Sequence, residues 1–527
     1  MSENSWYENA TVYQIYILSF KDSNGDGYGD LSGIISKLDY LKELGVDAIW
    51  ITPFYKSPLK DFGYDVQDHK EVDPLFGYIF DFDKLLSEAH NRDIKVLIDL
   101  VLNHTSNEHN WFIESKKSKE SKKRDWYIWR EGRIDGNGNE IPPNNWVSVF
   151  GGPAWTKDLV TGEWYLHTFL PSQPDLNWRN KEVREAMFDI IDYWLTRGVD
   201  GFRGDAVHHF YEDHDFGDED ENIFFRPGID DPYNSITHSK TNGLPETIES
   251  VLEISNFIQK YGDILFVTEA YLDIEGLLHV YKNCRAKNHM PFNFNFLSLS
   301  WSASDYKKFV DRYVLETENM PKNYVLGNHD KHRIISRVGK EKALAMALLS
   351  FTLPGTSFIY YGEEIGMEDI VINPKNELDE WGKRIPGLHL GRDPERGVMQ
   401  WDNSPNAGFS SIKPWIGSPQ NTDLINVKTE DSNENSILKF YKNIINISKR
   451  DVFKIGQYVP MPIQNETIFS FKRVFNEKEA VVFVNMSDNE VIFDLNSDWN
   501  LLISSQYQDN FELNKLMPNE ARIYINH

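Results

Sequence analysis

Residues 95–104 read KVLIDLVLNH. A short apolar, β-branched run carries Asp99 within it and stops at Asn103 and His104. That length suits a strand covered on both faces, as in a parallel sheet, better than an ordinary helix. Seven further runs of this kind occur, at 11–20, 46–54, 199–206, 264–271, 291–296, 324–330 and 357–362. Helical patterns at 31–44, 82–92, 181–197, 246–260, 274–283, 304–317 and 341–353 lie between most of them. In the first, Ile34, Leu38, Leu41 and Leu44 keep the three-to-four spacing of a buried stripe. Strand–helix alternation predicts a parallel sheet, and eight repeats predict a closed (β/α)8 TIM barrel rather than an open doubly wound sheet.

Two connections are too long for this plan. Residues 105–175 are rich in Trp, Pro, Gly and Asn and predict an inserted subdomain. A second long connection runs over 366–430, and a helical pattern at 437–449 ends the barrel region. Alternating stretches follow at 467–474, 479–486, 490–495 and 521–526, which predict a C-terminal antiparallel β-sandwich. The expected organisation is a barrel over 1–104 and 176–450, interrupted by subdomain B at 105–175 and followed by the sandwich at 451–527.

The 527 residues carry a formal net charge of −26, which disfavours nucleic acid and anionic lipid as partners. Aromatic residues make up 14%, with 15 Trp, enough flat surface for a sugar or for a large core. Cys284 stands alone, so no internal disulfide forms. The first residues show neither a basic nor an apolar leader, and no apolar stretch approaches a bilayer span. The expectation is a soluble, cytoplasmic protein acting on a small molecule, its oligomeric state open.

In barrels of this type the chemistry gathers at the C-terminal ends of the strands. Those ends carry Asp99 and His104, Arg203 and Asp205 (GFRGD, 201–205), Glu269 (VTEAY, 267–271), and His329 with Asp330 (GNHD, 327–330). The loop after the second strand adds Tyr64 and Asp65. Convergent carboxylates without a Cys/His cluster predict acid–base chemistry on a neutral substrate, the equipment that cleavage of a glycosidic bond needs. A separate stretch, DSNGDGYGD at 22–30, begins like an EF-hand calcium loop, but its twelfth position is Gly33 instead of a bidentate Glu. From the residues alone it reads equally as a broken calcium loop, a solvated acidic turn, or a metal loop of another kind.

DLVLNH (99–104), GFRGDAV (201–207), VTEA (267–270) and GNHD (327–330) resemble the four strand-end motifs of the alpha-amylase superfamily, glycoside hydrolase family 13. QPDLNW (173–178), DSNGDGYGDL (22–31) and RDPERGVMQW (392–401) resemble its oligo-1,6-glucosidase and alpha-glucosidase subgroup. The resemblance implies Asp205 as nucleophile, kept ionised by Arg203, Glu269 as general acid/base with a raised pKa, and Asp330 as transition-state support. It further implies that His104 and His329 hold sugar hydroxyls, that Tyr64 stacks beneath the sugar, and that Asp65 clamps its non-reducing end with Arg392 or Arg396. Phe150 and Phe169 are candidate aromatic walls, or core residues. The loop at 22–30 would bind a structural calcium through Asp22, Asn24, Asp26, the Tyr28 carbonyl and Asp30; no organic cofactor is implied. Ala206, after the nucleophile, favours α-1,4 substrates, whereas Val there resembles α-1,6 cleavers; sucrose- or trehalose-type hydrolysis and sugar isomerisation are the alternatives. Amino-acid-transporter heavy chains resemble the same family but have lost catalytic groups, whereas all three carboxylates stand here. Two departures from the family pattern are YILSF at 16–20 for YPRSF and RGVMQW at 396–401 for RTPMQW.

Overall fold

Eight parallel strands form one sheet: β1 (Thr11–Ile15), β2 (Ala48–Ile51), β3 (Lys95–Val101), β4 (Gly201–Asp205), β5 (Leu265–Thr268), β6 (His289–Pro291), β7 (Asn323–Val325) and β8 (Thr356–Tyr360). Their order, β6-β5-β4-β3-β2-β1-β8-β7, places sequence neighbours side by side around a nearly closed barrel. The computed structural model describes residues 5–317, 319–418, 420–463, 465–495, 498–507 and 512–526.

Register explains what the barrel encloses. Val12 pairs with Ala48, Gln14 with Trp50, Trp50 with Leu97, and Arg203 with both Asp99 and Val267. Paired residues of a parallel sheet face the same way, and alternate residues face opposite ways. One parity therefore fills the interior: Val12, Ala48, Leu97, Leu265, Val267, Met290 and Phe358 form a single cluster. The other parity, including Tyr13, Ile49, Ile51, Val96 and Ile98, packs outward in the larger core that includes the helices. Along the inward parity the side chains turn from apolar to polar toward the C-terminal ends, at Gln14, Asp99, Arg203 and Asp205.

The ring is not hydrogen-bonded throughout. Among the described residues β6 and β7 share no backbone ladder. The Asn323 side chain bridges them instead, donating to the Pro291 carbonyl at 2.7 Å and accepting from the Asn293 N–H at 2.9 Å. Asn323→Ala leaves both buried groups unpaired and is expected to cost about 2–4 kcal/mol, read by chemical denaturation; a loss under about 0.5 kcal/mol would show that the bridge carries no load.

Helix ends follow local chemistry. The helix Lys181–Arg197 starts where the Asn180 side chain accepts the Glu182 N–H and ends at Gly198, whose φ of 103° needs glycine. The stripe at 31–44 forms two helices, Leu31–Ile35 and Leu38–Leu44. Ser36 ends the first by donating its hydroxyl to the Gly33 carbonyl at 2.7 Å. Strand six lies earlier than its apolar run predicts, at His289–Pro291, where the His289 ring lies 2.8 Å from the Thr268 hydroxyl.

Residues 105–175 contain a helix, Asn110–Ser115, and a small antiparallel sheet of Trp129–Arg130, Trp164–Leu166 and Trp155–Lys157. They have a core of their own around Ile128, Trp146, Trp155 and Leu166. At the C-terminus five antiparallel strands run in the order Gln457–Pro460, Ile468–Phe475, Lys478–Asn485, Ala521–Ile525, Asn500–Ser504, beside a two-stranded ladder of Val491–Ile492 and Lys515–Leu516. Phe483, Phe493, Leu516 and Tyr524 pack between these layers. The opposite face, with Phe469, Phe471 and Ile523, joins the barrel's outer core.

Candidate active site

The strand ends surround a cavity of about 390 Å³. Its floor is organised by Arg203, which shares the inward parity of β4 and is buried. One prong of its guanidinium donates to Asp99 at 2.5 Å and to Asp205 at 2.6 Å; the other reaches Glu269 at 2.7 Å. Asp205 and Glu269 thus come from adjacent strands and stand on the two prongs of one fork. The Ala206 N–H also donates to Glu269, at 3.2 Å, and Ala206 adopts a left-handed φ of 45°, a conformation that costs a non-glycine residue energy at the point where Asp205 is presented.

Electrostatics here differ in one respect from the sequence expectation. Burial pushes the Asp205 carboxyl well above its ordinary range; Arg203 opposes this, while the charges of Glu269 and Asp99 add to it. Burial likewise pushes Asp99 up to about 6, against the pull of Arg203 and Trp50. Three acids share one arginine, so the pull of Arg203 on Asp205 does not offset burial and the neighbouring acids.

Asp330 is set the other way. Burial would raise its pKa, but the charges of Arg392, Arg396 and Arg203 outweigh burial and hold it well below the usual carboxylate range. Its Oδ1 accepts from Arg392 at 3.2 Å and from Arg396 at 3.1 Å. His329 is neutral, driven down by burial. The Gln14 amide nitrogen lies 2.8 Å from His329 Nδ1, which fixes the proton on Nε2, 2.7 Å from the Tyr64 hydroxyl. The Tyr64 and His329 rings stack at 5.3 Å, 1° apart. His104 also lines the cavity, its pKa lowered by burial to about 3, with Nε2 3.2 Å from the Tyr64 carbonyl and from the Gln173 amide.

The clamp differs from the sequence reading. Asp65 is fully buried within its own loop and accepts from Ser57 Oγ and from the Lys60 and Asp61 N–H groups, each at 3.0 Å. The structure brings Asp61 to the cavity in its place, 2.7 Å from Arg392. Arg392 is the arginine that lines the cavity; it also pairs with Asp379 through two nitrogens, at 2.9 and 2.8 Å. Arg396 lies behind, donating to the His329 carbonyl at 2.9 Å. Phe150 and Phe169 both line the cavity, 6.0 Å apart, and Trp381 sits 5.4 Å from Phe150. Asp61, Asp379 and Trp381 were not singled out from the sequence; only the acid at 61, four residues before Asp65, left a signal there.

The loop at 22–30 lies outside the cavity lining. Asp22 accepts the N–H groups of Asn24, Gly25 and Gly27 and the Ser410 hydroxyl, and Asp30 caps the helix Leu31–Ile35 through the Gly33 N–H. A side chain at position 33 is barred, because a Cβ there would meet the Lys21 carbonyl oxygen at 1.9 Å. The EF-hand Glu is therefore excluded by packing. Asp26 is exposed and accepts one hydrogen bond on each oxygen, from the Asn24 amide and from the Tyr28 N–H.

Comparison with known proteins agrees with this geometry. The model of the alpha-amylase catalytic domain matches residues 14–456. An oligo-1,6-glucosidase of Parageobacillus thermoglucosidasius is 39% identical over 99% of both chains. An alpha-glucosidase of Culex pipiens is 38% identical over 94% of this chain and 84% of its own. Among solved structures, an alpha-glucosyl transfer enzyme superposes with a TM-score of 0.91 at 32% identity over the whole of both chains. The isomaltulose synthase of Protaminobacter rubrum does so with 0.87 at 30% identity, again over the whole of both.

Proposed function

The chain belongs to the alpha-amylase family of glycoside hydrolases, and on that premise we propose that it is a retaining, exo-acting α-glucosidase that removes single glucose units from short oligosaccharides. The observation that carries this reading is the Arg203 fork, which holds Asp205 at 2.6 Å on one nitrogen and Glu269 at 2.7 Å on the other, both lining one small pocket. Retention needs two carboxyl groups roughly 5 Å apart.

In the proposed cycle the Asp205 carboxylate attacks the anomeric carbon while Glu269 gives its proton to the leaving oxygen, and the glycosidic bond breaks. A water molecule then attacks the glucosyl-enzyme, its proton passes to Glu269, and the bond to Asp205 is released. A second sugar in place of water gives transglucosylation. Ionised Asp330 favours the positive charge that develops on the sugar ring. The neutral ring nitrogens of His104 and His329 suit hydrogen bonding to hydroxyls, Tyr64 offers a flat face, and Phe150 and Phe169 wall the site.

Arg392, bound between Asp61 and Asp379, closes one end and makes the site a pocket instead of a cleft. Arg392→Lys keeps the charge but loses the two-nitrogen pairing to Asp379. It is expected to raise KM for a glucoside about 10- to 100-fold, roughly 1.4–2.8 kcal/mol, with a smaller change in kcat; an unchanged KM would refute the clamp. Ala206 beside the nucleophile leaves room for an α-1,4-linked leaving sugar, and a β-branched residue would strain the left-handed φ found there. Oligo-1,6-glucosidase activity is the second reading, favoured by the names of several relatives. Turnover of maltose, isomaltose, sucrose and trehalose, with the anomer of the first product read by NMR, tests both: β-glucose as first product refutes retention, and preference for isomaltose refutes the α-1,4 reading.

Calcium at the loop 22–30 belongs to the same proposal, held by Asn24, Asp26, the Tyr28 carbonyl and Asp30 around Asp22, as a stabiliser of the turn after β1. Chelation is expected to lower Tm and calcium to restore it. In Asp26→Ala, whose exposed side chain is not needed for packing, Tm is expected not to respond to calcium; an equal response in both proteins would count against this loop. No helix is long and apolar enough to cross a membrane among the described residues. The cytoplasm is the proposed setting, since the chain's lone buried thiol, Cys284, requires no oxidising compartment.

A further inference from the structure

His332 lies after β7, and Asp369 and Glu395 lie at two points of the long connection after β8, the latter in the turn Pro394–Arg396. His332 Nδ1 lies 2.8 Å from Asp369 Oδ2 and 3.6 Å from Glu395 Oε2. The three ligand atoms all fall within 4.8 Å of one another. Glu395 is only 2% exposed, yet its Oε2, facing His332, has no hydrogen-bond partner among the described residues. A buried carboxyl oxygen left this way is costly and asks for a ligand. The groups are also fixed from behind. Asp369 Oδ1 accepts the Arg333 N–H at 2.9 Å, the Asp369 N–H donates to Ser336 Oγ at 2.9 Å, and the Glu395 carbonyl accepts from the Tyr360 hydroxyl at 3.1 Å.

We propose that His332, Asp369 and Glu395 form a binding site for one first-row divalent cation, of which Zn²⁺ matches the donor set best. One imidazole nitrogen and two carboxylates suit zinc, whereas calcium and magnesium take all-oxygen shells. Zinc bonds of about 2.0–2.2 Å in a tetrahedron separate the ligand atoms by about 3.3–3.6 Å; the His332–Glu395 separation of 3.6 Å matches this, and the hydrogen-bonded His332–Asp369 contact of 2.8 Å opens by less than about 1 Å to accept the ion. Two carboxylates neutralise the dication. The His332 side chain is 48% exposed, which leaves an entry path and a fourth position for water. The neighbouring Arg396 donates to Asp330 at 3.1 Å, so a cation here ties together the loops that support the pocket.

A metal-free alternative gives the same contacts: the hydrogen bond to Asp369 raises the His332 pKa, and an imidazolium would sit between the two acids. Calorimetry distinguishes the two. The full-length chain is stripped with a chelator, supplied with calcium to saturate the loop at 22–30, and titrated with zinc chloride. The expected result is one saturable zinc site per chain and a Tm that rises with zinc. His332→Ala and Glu395→Gln, each confirmed as folded by circular dichroism, are expected to weaken binding by about 100-fold or more, at least the upper effect of losing an outer-shell partner. Asp26→Ala is expected to bind zinc as the unmodified chain does. Absence of a saturable site in the unmodified chain, or equal zinc binding by His332→Ala, overturns the proposal.

Discussion

Asp205→Asn is expected to leave a folded protein whose turnover of 4-nitrophenyl α-glucoside falls by about 10⁴- to 10⁶-fold, the scale seen when a covalent nucleophile is removed. Asn fills the same space and keeps the neighbouring acids on Arg203, which still reaches Asp99 and Glu269. What is lost is the anion that attacks. The variant should be no less stable than the parent, for a reason that can be signed. Burial raises the folded pKa of Asp205. A carboxyl with a raised folded pKa contributes stability below its ordinary pKa and loses that contribution as pH climbs through the raised value. At pH 7 to 8 the parent therefore bears a penalty that Asn lacks. The Tm of the variant should equal or exceed the parent's there, with the gap closing toward about pH 4. In the parent, activity should fall on the acid side as Asp205 takes up its proton, beginning above the ordinary aspartate range of about 4. Retention of more than about 1% of parental kcat, against the 10⁴-fold loss argued above, would remove Asp205 from the reaction. A fall in Tm at pH 8 would remove the electrostatic account.

Glu269→Gln is expected to separate the two halves of the reaction. With maltose the loss should be about 10²- to 10⁴-fold, the ordinary contribution of a positioned proton donor. With an aryl glucoside whose leaving group needs no proton, the first step survives and the second stalls. The glucosyl-enzyme then accumulates, giving a burst of phenolate and a mass increase of one glucosyl group on the peptide that contains Asp205. Azide, which needs no general base, should restore turnover and yield α-glucosyl azide, the retained anomer. The Gln side chain can still accept the Ala206 N–H, so the loop at 206 has no reason to move. Equal losses on maltose and on the aryl glucoside, with no rescue by azide, would mean that Glu269 acts through structure alone.

How much of this was legible in the sequence depended on whether backbone periodicity carried the signal. Asp205, Glu269, Asp330 and His329 could be read because each ends an apolar run, and the barrel converts strand ends into one rim. The clamp could not be read as well. Asp61 and Asp65 lie in one loop, and nothing in their spacing tells which turns inward; the answer depends on Ser57 and two backbone N–H groups that capture Asp65. Asp379 and Trp381 stand in the long connection after β8, where no period places a side chain. The helix over 31–44 is really two, since its apolar spacing continues across Ser36 while the hydrogen bonding does not. In the C-terminal domain, Gln457–Pro460, Asn500–Ser504 and Lys515–Leu516 were missed because short peripheral strands are held mainly by main-chain pairing and show little alternation. The two arginines of the 392–401 motif were told apart only by their surroundings, one at the cavity and one behind it.

The inward parity shared by Gln14, Asp99, Arg203 and Asp205 has a consequence for how this chain can change. Lengthening a loop, even by the scale of residues 105–175, leaves every strand's facing untouched, so whole modules can be grafted onto the rim while the chemistry beneath stays in tune. Deleting one residue within β4 rotates Phe202 and Gly204 into the lumen and turns the fork outward. Variation in such a scaffold is therefore cheap between the staves and ruinous within them.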